Sequence, residues 1–454
     1  MSITKNHSKT LQRKLGLAAV LAIVIGDMLG SGIFFSPGAL ATVAHSNWQI
    51  YFFWGLAGII TLCATLTLAE MTTLLPKAGA SYYIIREAFG PFWGFLKIWV
   101  EMFVSGPGSV AGISILFGEF LKRFIDVSPT MLGIAGILLF TIINLLGVRW
   151  GGRTQITITV IKLIALLSLV IGSILFAKPA AENVQAPGLE GSLNSLLRFI
   201  GLGIGAVLFT YDGWIDATHV AGEVTQPKRN LPRSLILGVG IIIVLYLVVN
   251  YAFLRIVPIP MMQKVPDRVA AMVATAAFGS KGADFLQALI TISILGAMGG
   301  LIMTTPRLFY GAALEYRNNS KFFAALTKIS GREVPYVAIL FCAFTSILAL
   351  TFFASFSRIV NFFVVAFHFI NILMVASIFK LRKKTEGVSG YRTPFFPITP
   401  LIYIVVMSGF LISALIYNPV DTLIGVALLS TGIPFYFWMR GGSTTKTQSP
   451  QRNY

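Results

Sequence analysis

The sequence predicts an all-α membrane protein of twelve transmembrane helices. Helices one and six are expected to be discontinuous, with helices one to five and six to ten forming two inverted units. Three observations carry this. Of 454 residues, 56% are apolar and only 11% charged, with a mean hydropathy of +0.80, whereas a soluble domain averages about 25% charged residues. Twelve stretches are long enough to span, at roughly 17–25 residues each. Two of these stretches carry helix-weakening residues at corresponding depths: Gly30-Ser31-Gly32-Ile33-Phe34 in the first and Phe209-Thr210-Tyr211-Asp212-Gly213-Trp214 in the sixth.

The expected spans are 15–43, 48–75, 92–124, 130–148, 152–177, 195–221, 234–257, 285–314, 335–355, 359–379, 400–417 and 422–439. The first is too long for a signal-peptide core and no small-residue cleavage site stands out, so it reads as a retained span. After the second, Leu75-Pro76-Lys77-Ala78-Gly79 is a turn followed by a short amphipathic helix. Between spans seven and eight, Val265 to Gly279 reads as an outer helical lid begun by Pro266 and Asp267. The chain thus divides into a tail (1–14), spans one to five (15–177), spans six to ten (195–382), spans eleven and twelve (398–440) and a polar tail (441–454) that reads as disordered. Five is odd, so the second unit enters from the opposite side, the inverted arrangement that lets one unit rock against the other. No residue-level repeat links the halves; the symmetry rests on the breaks and the hydropathy.

The formal net charge of +18, from 35 Lys and Arg against 17 Asp and Glu, reflects topology. Arg13-Lys14, Lys77 with Arg86, Arg149 with Arg153, Lys228-Arg229 with Arg233, Arg317 to Arg332 and Lys380 to Lys384 all fall on one side when both termini are cytoplasmic. That is the positive-inside rule, which fixes the orientation, so the basic balance reflects topology and not a nucleic-acid partner; the expected location is the cell membrane. Cys63 and Cys342 sit in different spans and imply no disulfide framework.

A broken helix leaves backbone groups bare in hydrocarbon unless protein, water or solute satisfies them. Paired breaks in two halves point to a transporter's solute site. The Gly30-Ser31-Gly32 turn presents N–H groups at the start of a half-helix, where the dipole also favours an anion. An α-carboxylate fits there, with the Ser31 hydroxyl as an extra donor and Ile33 in the same turn. The competing reading is helix packing, through the small-xxx-small pair Gly26 and Gly30. Opposite, carbonyls of Phe209 to Gly213 and of Met28 suit an ammonium. Asp212 is a carboxylate at membrane depth and needs a partner or a task; a cationic substrate side chain, a proton and a cap on the broken helix all stay open. Lys162 lies about ten residues into span five, so a rise of ~1.5 Å per residue sets it near the midplane. A salt bridge with an acid such as Asp27 or Glu101 would satisfy it; both acids are themselves intramembrane and candidates for proton coupling.

These residues resemble the amino acid–polyamine–organocation superfamily. The Gly-Ser-Gly-Ile-Phe of span one, the Pro-Lys-Ala-Gly-x-Ser-Tyr turn, the Tyr-Asp-Gly-Trp of span six and Glu223-Val224 followed by Pro227-Lys228-Arg229-Asn230-Leu231-Pro232 carry the likeness. Trp99-Val100-Glu101 with Pro107 draws it toward the L-amino acid transporter branch and its bacterial relatives. The resemblance implies the leucine-transporter fold. It also implies a carboxylate on Gly30 to Gly32, a gating aromatic at Phe209, and a span-five lysine, here Lys162, standing where sodium-coupled relatives hold an ion and bonded to carbonyls of unwound span one. It implies a side-chain pocket from Gly106, Gly108 and Ser109 of span three with Ser293 and Gly296 of span eight. Gly106 stands where several animal members have a basic residue, against an anionic side chain. Asp27 departs from the small residue usual before the break. Animal members bind a heavy subunit through a cysteine between spans three and four; this loop has none, so a stand-alone subunit is expected.

The expected function is therefore sodium-independent secondary transport of L-amino acids by alternating access, by exchange or proton symport. The alternative is a proton-coupled polyamine or cationic amino acid importer. No enzyme, cofactor or metal is expected: the acids are scattered, His219 and His45 lack ligand spacing and read as satisfied interface histidines. Gly203 and Gly205 fail the context of a nucleotide loop.

Overall fold

The computed structural model describes residues 11–179, 203–205, 207–353, 356–384, 390–417 and 419–441. The expected start of span six at 195–202, and most of both tails, lie outside the described residues. Among those described the chain is helical, with no β-strand; the one β-bridge joins Leu15 to Val224.

Nine helical stretches among the described residues are long and apolar enough to cross a membrane, from Leu17–Ala41 to Thr422–Met439. Pro129–Leu145 and Tyr336–Phe352 are shorter apolar helices. The first stretch is two helices, α1 (Leu17–Met28) and α2 (Gly32–Ala41). Then come α3 (Asn47–Leu74), α4 (Ala80–Phe89), α5 (Pro91–Val100), α6 (Gly106–Leu121), α7 (Pro129–Leu145) and α8 (Val148–Phe176). After the span-six segment follow α9 (Pro227–Ile256), α10 (Ile259–Lys264), α11 (Val269–Phe278) and α12 (Gly282–Tyr316). The chain closes with α13 (Lys321–Leu326), α14 (Tyr336–Phe353), α15 (Phe356–Lys384), α16 (Ile398–Tyr417), α17 (Pro419–Ser430) and α18 (Gly432–Gly441). The segment expected to form a lid, 265–279, holds a 3-10 turn at Pro266–Arg268 followed by α11. It runs almost directly into α12, so the apolar stretch spans Pro266–Tyr316, longer than the 285–314 expected.

Local chemistry explains the interruptions. Leu29 leaves α-helical dihedrals (φ −80, ψ 73) and Gly30 N–H folds back to the Met28 carbonyl at 2.9 Å. In span six a 3-10 turn at Phe209–Tyr211 ends in extended Asp212 (φ −72, ψ 165) and then Gly213 at φ +102. No α-helix resumes before Pro227; 3-10 turns at Asp216–Thr218 and Ala221–Glu223 take its place. Span three is kinked by a π-helical turn, Glu101–Ser105, where Gly106 N–H bonds to the Glu101 carbonyl. A Cβ at Gly106 would lie 2.3 Å from that carbonyl, so only glycine fits the turn.

The first half-span, α1, is enclosed by α8, α9 and α12. Its N-terminal side is tied to the end of span six: Lys14 and Leu15 N–H donate to the Glu223 carbonyl, and Thr225 N–H to the Leu15 carbonyl (2.8, 2.9 and 2.9 Å). Beneath that tie Arg307 of α12 donates to Glu223 at 2.9 Å, both side chains fully buried. Lys14 also pairs with Glu333. The Pro-Lys-Ala-Gly turn docks on the same segment, Gly79 N–H donating to the His219 carbonyl at 2.8 Å.

Candidate functional site

The two breaks face each other. Tyr246 of α9, fully buried, puts its hydroxyl 2.7 Å from the Met28 carbonyl and 3.0 Å from the Thr210 carbonyl. One hydroxyl has one proton, so it donates to one break at a time and holds both. Ser36 of α2 lies 2.7 Å from the Thr210 hydroxyl. Gly32 packs against the same threonine: a Cβ there would come 2.7 Å from Thr210 Oγ1. Tyr211 turns away, donating to the Trp54 carbonyl at 3.0 Å within a Trp54–Tyr211–Tyr246 ring cluster.

Between the breaks lies a cavity holding about 1040 Å³ of empty space counted out to its mouth. Met28, Gly30, Ser31 and Gly32 line one side, Phe209, Thr210, Asp212 and Gly213 the other, and Gly106, Gly108 and Ser109 a third. The first turn of α2 leaves amide groups without intrahelical acceptors at this wall. Phe209 is 42% exposed at the cavity's edge. The wall from α12 is Ile294, Ala297, Leu301 and Thr305.

Three residues assigned to the pocket from the sequence do not line it. Ile33 is fully buried behind the break. Ser293 and Gly296 sit on the α12 face turned to α1 and α8. The Ser293 hydroxyl is 2.9 Å from the Leu29 carbonyl, and a Cβ at Gly296 would lie 3.1 Å from Lys162 Nζ. A helix turns about 100° per residue, so neighbours of Ile294 and Ala297 serve a different face.

That face surrounds Lys162. Its ammonium, fully buried, donates to the carbonyls of Gly26 (2.6 Å), Leu29 (2.8 Å) and Ser293 (3.4 Å). Of the two partners open in the sequence, carbonyls are the ones found; among the described residues no carboxylate lies within 4.0 Å of it. Glu101 instead pairs with Lys97, one helical turn back and fully buried. Among the described residues Asp27 has no cation within 4.0 Å. One oxygen is 3.5 Å from Gln155 Nε2 and the other, buried, has no hydrogen-bond partner among the described residues. Gly300 makes room for it: a Cβ there would sit 1.6 Å from Asp27 Oδ1. Asp212 accepts from Gly213 N–H at 3.0 Å while lining the cavity, so it both caps the break and faces the solute space.

This geometry coincides with a match along nearly the whole chain, residues 15–439, to the family model described as amino acid permease. The chain belongs to the amino acid permease family. This permease is a multi-pass membrane protein, not an enzyme, and falls with the L-amino acid transporter branch of the amino acid–polyamine–organocation superfamily. It is 28% identical to the serine/threonine exchanger of Bacillus subtilis over 95% of this chain and 97% of that protein. It is similarly 28% identical to the mouse large neutral amino acids transporter small subunit 2, over 94% of this chain and 81% of that one. The mouse b(0,+)-type amino acid transporter 1 is also 28% identical, over 96% and 89%.

Several residues of the permease's site escaped the sequence reading. Lys97 is offset from Glu101 by four residues, a detectable ion-pair spacing. Tyr246, Gln155 and Arg307 carry no local signal, since Thr210, Asp27 and Glu223, to which they bond, lie more than 30 residues away. Asp216, four residues after Asp212, lines the cavity as well. His219 is not a satisfied histidine: it is 2% exposed and neither ring nitrogen has a hydrogen-bond partner among the described residues. Among the described residues no group of three His, Cys, Asp or Glu is placed to hold a metal.

Proposed function

We propose that this permease is a sodium-independent secondary transporter of L-amino acids, working by alternating access as an exchanger or proton symporter. The observation that carries the reading is the pair of breaks joined through Tyr246 across one cavity. The substrate α-carboxylate sits at the Gly30 to Gly32 turn on the amides of Ser31 and Gly32, where the half-helix dipole favours an anion. The ammonium takes carbonyls of Met28, Phe209 and Thr210. Gly106, Gly108 and Ser109 leave room for the side chain. Lys162 supplies a tethered cation to the carbonyls of Gly26 and Leu29, so no sodium is needed there.

The proposed frame is twelve spans in a 5+5 inverted repeat of the leucine-transporter type, with units 15–177 and 195–382, spans eleven and twelve at 398–440 and both termini cytoplasmic in the cell membrane. The proposed subunit acts without a disulfide-linked heavy chain: Cys63 and Cys342 are both buried free thiols. Its relatives by name include a serine/threonine exchanger and transporters of large neutral amino acids, which supports the substrate class.

A second reading, import of cationic amino acids or polyamines, is favoured by one observation. Asp27, Glu101, Asp212 and Asp216 all line the cavity, with no basic residue among the described lining residues. Purified protein in liposomes tests both readings, with a panel of labelled amino acids and putrescine, with and without internal substrate and a pH gradient. Uptake of amino acids that persists in choline medium supports the first. Uptake that requires sodium, or is competed by amino acid amides as well as by free acids, overturns it.

A further inference from the structure

Span six beyond its break carries an unexplained pair. His219 is a buried imidazole with no hydrogen-bond partner for either nitrogen. An unmet buried polar group costs about 1–3 kcal/mol, so a purely structural histidine would be a poor choice at this place. Its Nδ1 lies 3.8 Å from the carboxylate of Asp216. Asp216 in turn lines the cavity. The two residues therefore connect the solute space to a closed interior position.

The surroundings leave carboxylates in excess. From the π-turn, Glu101 faces His219 and Asp216, already neutralised by Lys97. From the break, Asp212 faces Asp216; from α1, Asp27 does. Lys162 on α8 reaches this group only through Asp27 and is occupied by three carbonyls. From α12, the charged residue on this side is Arg307, which is spent on Glu223. Four acids thus share two ammonium groups, and a low-dielectric site relieves such an excess by binding cations or protons. The segment begins at Gly213 with φ +102 and is built of 3-10 turns rather than a continuous helix.

We propose that Asp216 and His219 form a proton-carrying pair that couples transport to the proton gradient. This rests on the transport reading above and chooses symport within it. A proton from the cavity binds an Asp216 oxygen, forming O–H. On approach within hydrogen-bond distance it passes to His219 Nδ1, where N–H forms as O–H breaks. When the segment turns about Gly213, the imidazolium meets water on the other side and loses the proton there. One proton enters and one leaves per cycle. Carboxylate and histidine chains are established carriers of this kind within membranes.

The test uses the full chain in liposomes loaded with pyranine, with an equimolar mixture of the twenty standard L-amino acids added outside at acidic pH. Counterflow of the labelled mixture is measured alongside. Wild-type protein is expected to acidify the lumen. Asp216→Asn and His219→Gln are each expected to lose acidification, and His219→Gln, which lies off the cavity wall, to keep counterflow. Asp216→Glu, which keeps the carboxyl, is expected to acidify with a shifted pH midpoint, and serves if the other two variants fail to fold. Counterflow without acidification in the wild type overturns the proposal and leaves amino acid transport standing. Acidification by Asp216→Asn or His219→Gln at the wild-type rate, or an unshifted midpoint in Asp216→Glu, overturns it too. Absence of any counterflow removes the transport reading and this one together.

Discussion

Single side chains decide the chemistry of this site, and two of them give direct expectations. Lys162 donates to three carbonyls, of which Leu29 also accepts from the Ser293 hydroxyl; a buried carbonyl left unmet costs about 1–3 kcal/mol. Lys162→Ala is expected to abolish uptake in choline and restore part of it in sodium, because a small cation then has both room and ligands; equal uptake in the two media is the contrary result. Asp27 occupies space that only Gly300 leaves open. Gly300→Ala is expected to stop transport, and adding Asp27→Ala is expected to recover folding measured by monodisperse elution, since the two changes share one clash and are not additive. The residue scale is also where the sequence was least legible. Lys162 was readable because depth follows from counting along a helix. Tyr246, Arg307 and Gln155 were not, because their meaning comes from carbonyls and carboxylates on distant spans. Ser293 and Gly296 were assigned to the wrong side of their helix, for the neighbouring face, one residue on, is the one that lines the cavity.

Breaks, kinks and turns were far more legible, since backbone chemistry is local. Gly-Ser-Gly and Asp-Gly interrupt spans one and six where expected, and Gly106-Pro107 marks the π-turn of span three. What the local pattern lacked was the form of span six after its break, a run of 3-10 turns held by contacts to Leu15 and Gly79. At Gly213 the positive φ coincides with crowding: a Cβ would lie 2.8 Å from the Asp27 carbonyl carbon. Gly213→Ala is expected to cost about 1–3 kcal/mol, read as a lowered thermal midpoint in detergent. Tyr246→Phe removes the hydroxyl shared by both breaks; it is expected to lower stability by about 0.5–1.5 kcal/mol and to weaken substrate protection in the same melting assay, an unchanged protection being the opposing outcome.

Across the whole molecule, the buried Arg307–Glu223 pair joins α12 to the end of span six. Removing one partner strands a charge, at about 3–5 kcal/mol, whereas replacing both by apolar groups is often neutral. Arg307→Met and Glu223→Leu are each expected to reduce the folded yield sharply, and the double variant to recover most of it. Above that pair, the main chain of Lys14 and Leu15 is zipped to Glu223 and Thr225. A rod fastened at both its ends does not swing alone: whatever tilts the first half-helix must drag the last turns of span six along or break three backbone hydrogen bonds. Opening at that end of α1 therefore breaks these hydrogen bonds together.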